Sequence, residues 1–350
     1  MSSALHQAWP PFALIAGLLL IGLLADRDGL FAWGGARLQA LPGGGLALLG
    51  AALLLDAVVT AILNLDTAVV FLTPVLVYAA RRRRVAVEPF LYGCVFMANA
   101  SSLFLPGSNL TNLLVLGGAG GGGSGASFAA KMFPLAITAA LVTAVGIGVV
   151  FRGALAAPVG SGGADGEAAR VVLGTGLIAT AAAVALVLAL SQPALAVLAV
   201  GLLATVVELL RRRVTAADVW RVLGPAGLLV AFVLTAALGT LARHWDGPAE
   251  LIAGASGPET AGLAALTSVL INNLPAAALY SAHTVDHSRM LLLGLNVGPN
   301  LAISGALSAL LWFRAAREVG ERPSLLSFSR RGVPLASAAM VAAILVGMLT

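Results

Sequence analysis

The sequence predicts an all-α polytopic membrane protein with two inverted repeats, each containing a re-entrant helical hairpin and a broken transmembrane helix. Composition sets the class, because 59% of the 350 residues are hydrophobic and only 10% are charged, against about 25% charged residues in a soluble domain. The mean hydropathy of +0.99 agrees. The formal net charge of +5 comes from clustered arginines, which indicate membrane orientation rather than nucleic-acid binding. Two pairs of interrupted apolar segments predict the repeats.

The first hairpin is predicted over residues 46–80, after a retained apolar span at residues 11–25. The region is too long for one crossing of about 20 residues and too short for two. Residues 64–67, Asn-Leu-Asp-Thr, interrupt it, so two half-helices that meet at a polar tip fit the pattern. Four consecutive arginines at residues 81–84 follow and indicate a cytoplasmic end.

The first broken helix is predicted over residues 89–116, which contain three Asn, three Ser, one Thr and a Pro-Gly pair within an apolar run. Pro106 removes a backbone donor and Gly107 relaxes the backbone, so a helix should break here. Freed backbone groups at membrane depth are tolerated only where protein or a water-filled cavity covers them. We therefore expect a substrate or ion site; the alternative is a polar loop between two helices.

The second repeat is predicted from a weaker echo of the same order of segments. Its hairpin covers residues 260–283 and its broken helix residues 290–313. Paired interrupted segments in two halves indicate a transporter binding site. The predicted domains are therefore a first repeat, a connector and an inverted second repeat: residues 1–151, 152–170 and 171–350.

The arginine clusters test this arrangement. If residues 81–84 lie inside, the clusters near residue 211 and after residue 313 also fall inside, and the two hairpins open on opposite sides. A Gly/Ser linker at residues 117–125 is then external. This topology has eight crossing helices and two hairpins. The spans at residues 171–190 and 193–210 have no counterpart in the first half.

Four stretches resemble the ArsB-type arsenite efflux permeases, in the superfamily that also holds sodium-coupled dicarboxylate symporters. They are N-L-D-T-A-V-V-F-L-T-P from residue 64, A-N-A-S-S-L-F-L-P-G-S-N-L-T-N from residue 98, N-N-L-P-A from residue 272 and L-N-V-G-P-N-L-A-I-S-G-A-L-S-A-L-L-W from residue 295. The resemblance implies a transport domain carrying both hairpins and a scaffold that mediates dimerisation. Family members usually begin with two further scaffold helices, the pair that the repeat count lacks. Asp66 and Pro275 depart from the Ser-Asn-Thr tips of the symporters.

Asp66 is the expected proton-coupling residue. A carboxylate within the membrane costs about 2.5–3.5 kcal/mol on insertion scales and is usually functional. The alternative is a carboxylate that caps the following half-helix, and both roles are compatible. Asp56 is expected at a helix–helix contact. The predicted substrate- and ion-binding residues are Asn64, Asp66, Thr67, Asn99, Ser101, Ser102, Ser108, Asn109, Asn112, Asn272, Asn273, Asn296, Asn300 and Ser304.

These residues favour export of arsenite or antimonite in exchange for protons. Arsenite at neutral pH is mainly an uncharged trihydroxide, which suits amides, whereas a di- or tricarboxylate would want Lys or Arg, absent from both polar clusters. The alternatives are a sodium/proton antiporter or sodium-coupled anion symporter of the same superfamily, and a non-transporting scaffold or partner-dependent subunit. A soluble ATPase on the Arg-rich face stays open.

No enzyme is expected, because no catalytic triad, paired carboxylates or nucleotide loop stands out. No cofactor or metal is expected either. Cys94 alone cannot form a thiolate site, and His283, Asp286 and His287 are expected in a solvated loop. The bilayer, a small inorganic substrate and a second copy in a homodimer are the expected partners, at the plasma membrane and without nucleic acid.

Overall fold

The computed structural model describes residues 2–117, 124–156, 173–190, 192–245 and 247–350. Regular structure in these ranges is helical, which confirms the predicted all-α class. The predicted linker and connector fall largely outside them, at residues 118–123 and 157–172. The helices before the connector are α1 (Ser2–Arg27), α2 (Leu30–Ala40), α3 (Gly45–Ile62), α4 (Leu65–Arg82), α5 (Glu88–Ser101), α6 (Leu110–Leu116), α7 (Gly125–Val150) and α8 (Arg152–Leu155).

The second half begins with two further helices and then repeats the order of the first. The helices are α9 (Thr175–Ala189), α10 (Ala194–Leu210), α11 (Ala216–Leu223), α12 (Pro225–Leu241), α13 (Gly247–Ala253), α14 (Gly257–Ile271), α15 (Asn273–Tyr280), α16 (Ser288–Val297), α17 (Leu307–Glu318) and α18 (Leu325–Leu349). In this order α1, α2, α3–α4, α5–α6 and α7 correspond to α12, α13, α14–α15, α16–α17 and α18.

Helices α3 and α4 form a re-entrant hairpin. By length and hydropathy α3 could cross a membrane, but the chain turns back at Asn64. Arg83, after the end of α4, donates to the backbone oxygens of Gln39, Leu41 and Gly43 at 2.8, 2.6 and 2.9 Å. The end of α4 therefore lies beside the segment that precedes α3, so both half-helices open at the same end of the bundle.

The arginine-rich ends of several helices meet at this same end. Ion pairs join Arg81 to Glu321 at 2.6 Å and Arg331 to Glu88 at 2.9 Å. A Cβ atom added at Gly257 would lie 3.8 Å from His287 Nδ1, so the start of α14 lies beside the start of α16. This is the opposite end, because the chain runs from α16 through α17 to Glu321 at the arginine-rich end. The two hairpins therefore open in opposite directions. The side of the membrane that each end faces stays a prediction.

Helices α9 and α10 pack against α1 through closely approaching backbones. A Cβ atom added at Gly201 would lie 2.7 Å from the backbone oxygen of Gly17. Asp28, after the end of α1, accepts from the backbone nitrogens of Gly176 and Leu177 at 2.7 and 3.1 Å. The carboxylate thereby caps α9, as an acidic group at a helix N-terminus does.

Several predicted boundaries differ from the structure by two or more residues, and two of these differences have a local cause. The apolar run at residues 221–241 predicts a single span, but the structure divides it at Gly224, whose φ of 50° ends α11 and leads into α12. The second hairpin begins at Gly257 rather than residue 260. Ser256 and Glu259 form a reciprocal capping box there, with the Glu259 carboxylate 2.7 Å from the Ser256 backbone nitrogen.

Candidate functional site

The candidate site lies where the two broken helices approach each other. In the first repeat α5 ends at Ser101, a 3₁₀ turn covers Pro106–Ser108, and Asn109 caps α6 by accepting from the Thr111 backbone nitrogen at 3.2 Å. In the second repeat α16 runs into 3₁₀ turns at Gly298–Leu301 and Ile303–Gly305 before α17 begins. The predicted breaks are therefore present in both repeats, and each exposes backbone oxygens that side-chain amides contact.

Asn296 connects the two breaks. Its Oδ1 accepts from Asn109 Nδ2 at 2.7 Å and lies 2.6 Å from Ser102 Oγ. Its Nδ2 donates to Asn112 Oδ1 at 2.9 Å and to the Leu292 backbone oxygen at 2.8 Å. Its side chain thus makes three contacts with the first repeat and one within its own helix. Asn296 is completely buried, so these contacts replace hydration of the amide.

A second pair of amides joins the repeats beside Asn296. Asn99 Nδ2 donates to Asn300 Oδ1 at 2.8 Å, and Asn300 Nδ2 donates to the Phe96 backbone oxygen at 3.0 Å. Ser308 Oγ donates to Asn99 Oδ1 at 3.3 Å. We call the set Asn99, Ser102, Asn109, Asn112, Asn296 and Asn300 the amide network.

The amide network is uncharged. In the described part of the chain, every hydrogen-bond partner of these side chains is an amide, a hydroxyl or a backbone group. Its amides can each donate and accept. A ligand with both hydroxyl donors and hydroxyl acceptors could therefore exchange partners with it, whereas a multiply charged anion would find no positive side chain within it.

The tip of the first hairpin forms a separate buried group. Asn64 caps α4, because its Oδ1 accepts from the Thr67 backbone nitrogen at 2.6 Å. Asp66, in the first turn, is only 5% exposed and makes no ion pair among the described residues. A cavity of about 10 Å³ adjoins Asn64, Asp66 and Gly107, which is enough for roughly one water molecule. The capping role weighed for Asp66 therefore belongs to Asn64.

Unpartnered polar atoms continue from this tip along α3. The buried atoms Asp56 Oδ2, Thr60 Oγ1, Asn64 Nδ2 and Thr67 Oγ1 have no hydrogen-bond partner. Asp56 and Thr60 are four residues apart and share one face of α3, and Asn64 follows two residues after that helix ends. Cys94 Sγ donates to the other oxygen of Asp56 at 3.4 Å, which places Asp56 at the expected helix–helix contact. Because orphaned buried polar groups are costly, we expect ordered water along this face.

The tip of the second hairpin is less buried. Asn272 accepts from the Leu274 backbone nitrogen at 3.3 Å and donates to the Ser304 backbone oxygen at 3.1 Å. Ser304 is exposed and donates to the Val269 backbone oxygen at 2.7 Å. Asn273 Nδ2 donates to the Leu295 backbone oxygen at 3.3 Å. Asn272 has a φ of 77° and a ψ of 148°, a strained conformation outside the left-handed helical region.

The structure thus divides the predicted site residues into three groups. The amide network takes six of them, the first tip holds Asn64, Asp66 and Thr67, and the second tip holds Asn272, Asn273 and Ser304. Ser108 Oγ donates to the Ala61 backbone oxygen at 3.1 Å and links the first break to the first hairpin. Ser101 only bonds back to the Met97 oxygen in its own helix. Ser308, Thr60 and Thr111 are not among the predicted residues, and the hydroxyls of Thr60 and Thr111 are buried and unpartnered.

Two inverted repeats that meet through broken helices and opposed hairpins define a secondary transporter. The chain matches the family model described as CitMHS, citrate transporter, over residues 3–307. It therefore belongs to the citrate transporter family, a family of membrane transporters and not of enzymes. It is also similar to the YdaH transporter of Alcanivorax borkumensis, whose crystal structure is described as revealing an unusual topology.

The likeness to YdaH is one of fold. Sequence identity is 14%, the TM-score is 0.58, and the alignment covers 99% of this chain and 86% of that chain. The family match confirms the predicted membrane transporter, and the likeness to YdaH confirms the predicted fold. The narrower prediction of the arsenite branch goes beyond both comparisons.

Proposed function

We propose that this protein exchanges protons for a small uncharged solute, with the trihydroxides of arsenic and antimony as the preferred substrates. The observation that carries the proposal is Asp66, a buried carboxylate that makes no ion pair among the described residues, at a hairpin tip near an uncharged amide network. Ser108, which precedes Asn109 of the network, donates to the Ala61 backbone oxygen near the end of α3. The carboxylate offers a place for one proton, and the network offers paired donors and acceptors.

Asp66 is proposed as the proton carrier because burial makes its charged form costly within the membrane. The nearby cavity holds roughly one water, and the unpartnered atoms from Asn64 back to Asp56 favour further water. A hydrated face of this kind is a route by which a proton could leave the tip. Asp56 is the second carboxylate on the route.

The amide network is proposed as the substrate site because its members are buried and satisfied mainly by one another. A trihydroxide presents three O–H donors and three oxygen acceptors, so it can replace amide–amide bonds without leaving either amide unpaired. The contacts made by Asn109, Asn112 and Asn296 would open for it. Neutral substrate and proton exchange fit together, since only the proton then carries charge.

A second candidate is a polycarboxylate symporter, favoured by the family description. The absence of a basic side chain from the described contacts of the amide network weighs against it. Two half-helices that begin at the breaks, α6 and α17, could supply partial positive charge to a carboxylate. For either substrate, trihydroxide or polycarboxylate, the driving ion could be sodium instead of a proton.

The test is substrate flux in proteoliposomes under imposed proton or sodium gradients. Wild-type protein should accumulate arsenite or antimonite with the proton gradient, and Asp66→Asn should abolish uphill movement while retaining exchange of substrate for substrate. Asp286→Asn, in an exposed loop, is the matched control and should behave as wild type. Citrate accumulation without arsenite flux would establish the second candidate instead.

The remaining alternatives concern partners and place. Absence of flux for every substrate and gradient would favour a scaffold or a partner-dependent subunit. Crosslinking in native membranes would show a homodimer or a soluble ATPase bound at the arginine-rich end. We place the protein in the plasma membrane, where extrusion of a toxic solute is useful, and fractionation of the producing cells tests that placement.

A further inference from the structure

A polar cavity of about 140 Å³ lies at the end of the bundle opposite the arginine clusters. It lies between the start of α7 and the segment that joins α15 to α16. Its polar lining consists of basic side chains from Lys131, His283 and Arg289, and of four serines. No Asp or Glu is among its lining residues within the described ranges. Asp286 belongs to the same loop as His283 but does not line the cavity. The cavity is therefore positively charged.

Arg289 has bonding capacity left for a ligand. Its Nη2 donates to Thr350 Oγ1 at 2.9 Å, while its Nε is buried and has no hydrogen-bond partner. A buried guanidinium nitrogen without a partner is costly, because arginine can only donate and its Nε–H needs an acceptor. Lys131 is exposed at the rim and adds a second positive charge. His283 is fixed at the wall, with Nε2 2.8 Å from the Ala242 backbone oxygen.

Two helix N-termini converge on the same cavity. Helix α7 contributes its capping residue Ser124 and its first-turn residue Ser127, whose backbone nitrogen donates to Ser124 Oγ at 3.3 Å. Helix α16 contributes Ser288 and Arg289, and no side chain of the preceding residue caps it. Backbone N–H groups at helix N-termini carry partial positive charge and attract anions. The helix ends and the basic side chains thus favour the same kind of ligand.

We propose that this cavity is a binding site for a small polyvalent anion of the polycarboxylate or phosphate type. Oxygen atoms of the anion would accept from Arg289 and the start of α16, with Lys131 completing the charge balance from α7. The cavity volume of about 140 Å³ is room for roughly ten water molecules, so it admits a small anion. Because α7 and α16 belong to different repeats, the anion bridges the two halves. The inference is independent of the substrate that the amide network carries.

The experiment is a titration of purified, detergent-solubilised protein with citrate and with inorganic phosphate, followed by calorimetry. Arg289→Gln and Lys131→Gln are the test variants, and Arg322→Gln, which removes one exposed arginine from the other end, is the charge-matched control. Wild type and control should bind with equal affinity. Each test variant should bind at least about tenfold more weakly, since each loses a charge-assisted contact. Lys131 is exposed, so its variant keeps the test valid if Arg289→Gln unfolds.

Asn296→Ala separates this site from the amide network. Anion binding that survives Asn296→Ala and weakens in Lys131→Gln supports the proposal, and the preferred probe identifies the anion as a carboxylate or a phosphate. Equal binding by wild type and both test variants overturns it, as does a wild type that binds neither probe. Citrate binding lost in Asn296→Ala but retained in Lys131→Gln also overturns it, because the anion is then held centrally.

Discussion

Replacing Asn296 by Ala should weaken the junction between the two repeats. The substitution removes the contacts to Ser102, Asn109 and Asn112. Side-chain hydrogen bonds between membrane helices average about 0.6 kcal/mol and reach about 1.7 kcal/mol. Three such contacts give a loss of about 2 kcal/mol in the free energy of unfolding, and about 5 kcal/mol as an upper bound.

The partners decide where in this range the loss falls. Ser102 Oγ keeps an acceptor, because it also lies 2.7 Å from the Asn99 backbone oxygen. Asn109 Nδ2 and Asn112 Oδ1 lose the partner that they have in the structure. Water that enters the space left by the amide would satisfy both groups in part. We therefore expect a loss near the lower figure, seen as a thermal midpoint several degrees below wild type in detergent.

Ser101→Ala is the matched control. Ser101 is as completely buried as Asn296, but its hydroxyl bonds only to the Met97 oxygen within α5. Its thermal midpoint should stay close to that of wild type. Equal midpoints for Asn296→Ala and Ser101→Ala would refute the reasoning that the amide network holds the repeats together. Transport should fall in Asn296→Ala in either case if the network is the substrate site.

Three further predictions concern the frame of the molecule. Cysteine at Thr284 should react with an impermeant reagent from one side of the membrane and cysteine at Arg322 only from the other; labelling of both from one side would contradict the hairpin assignment. Gly201→Ala should cost about 1–3 kcal/mol in stability, because its Cβ would press on the α1 backbone. In the control Gly227→Ala the added Cβ meets nothing within 4 Å, so this variant should be neutral or slightly stabilising. Equal thermal midpoints for the two variants would exclude close packing of α1 and α10. Asp28→Ala should cost about 0.5–2 kcal/mol by uncapping α9, and an unchanged thermal midpoint would show that the cap is dispensable.

Much of the architecture could be predicted from sequence because membrane segments have a required length. The apolar region before residues 81–84 has the wrong length for one or two crossings, and the arginines predict its direction. Gly224 and the capping box of Ser256 and Glu259 are also legible in the sequence. Hydropathy continues across both positions, so a prediction from hydropathy alone runs through them.

The hydrogen-bond partners within the site could not be predicted in the same way. The sequence indicated that Asn99, Asn109 and Asn296 lie at membrane depth, but it does not say which amide meets which. The bond between Asn109 and Asn296 joins residues 187 positions apart. Its existence depends on how the two breaks cross. Ser308 could not be predicted for the same reason. A serine among small residues in a helix looks like a residue of a helix–helix contact, and only the structure shows that its hydroxyl donates to Asn99.

The contact between Gly17 and Gly201 has a mechanical consequence. Backbone lies against backbone there, so no side chain can change rotamer to let α1 slide or roll on α10. The same helix α1 presents Leu14 and Leu18 to the cavity beside Asp66. Helices α1 and α10 should therefore move as one rigid unit. Any displacement of the first hairpin tip during a transport cycle is then a displacement relative to this pair of helices, and Gly17 is a fixed reference position for measuring it.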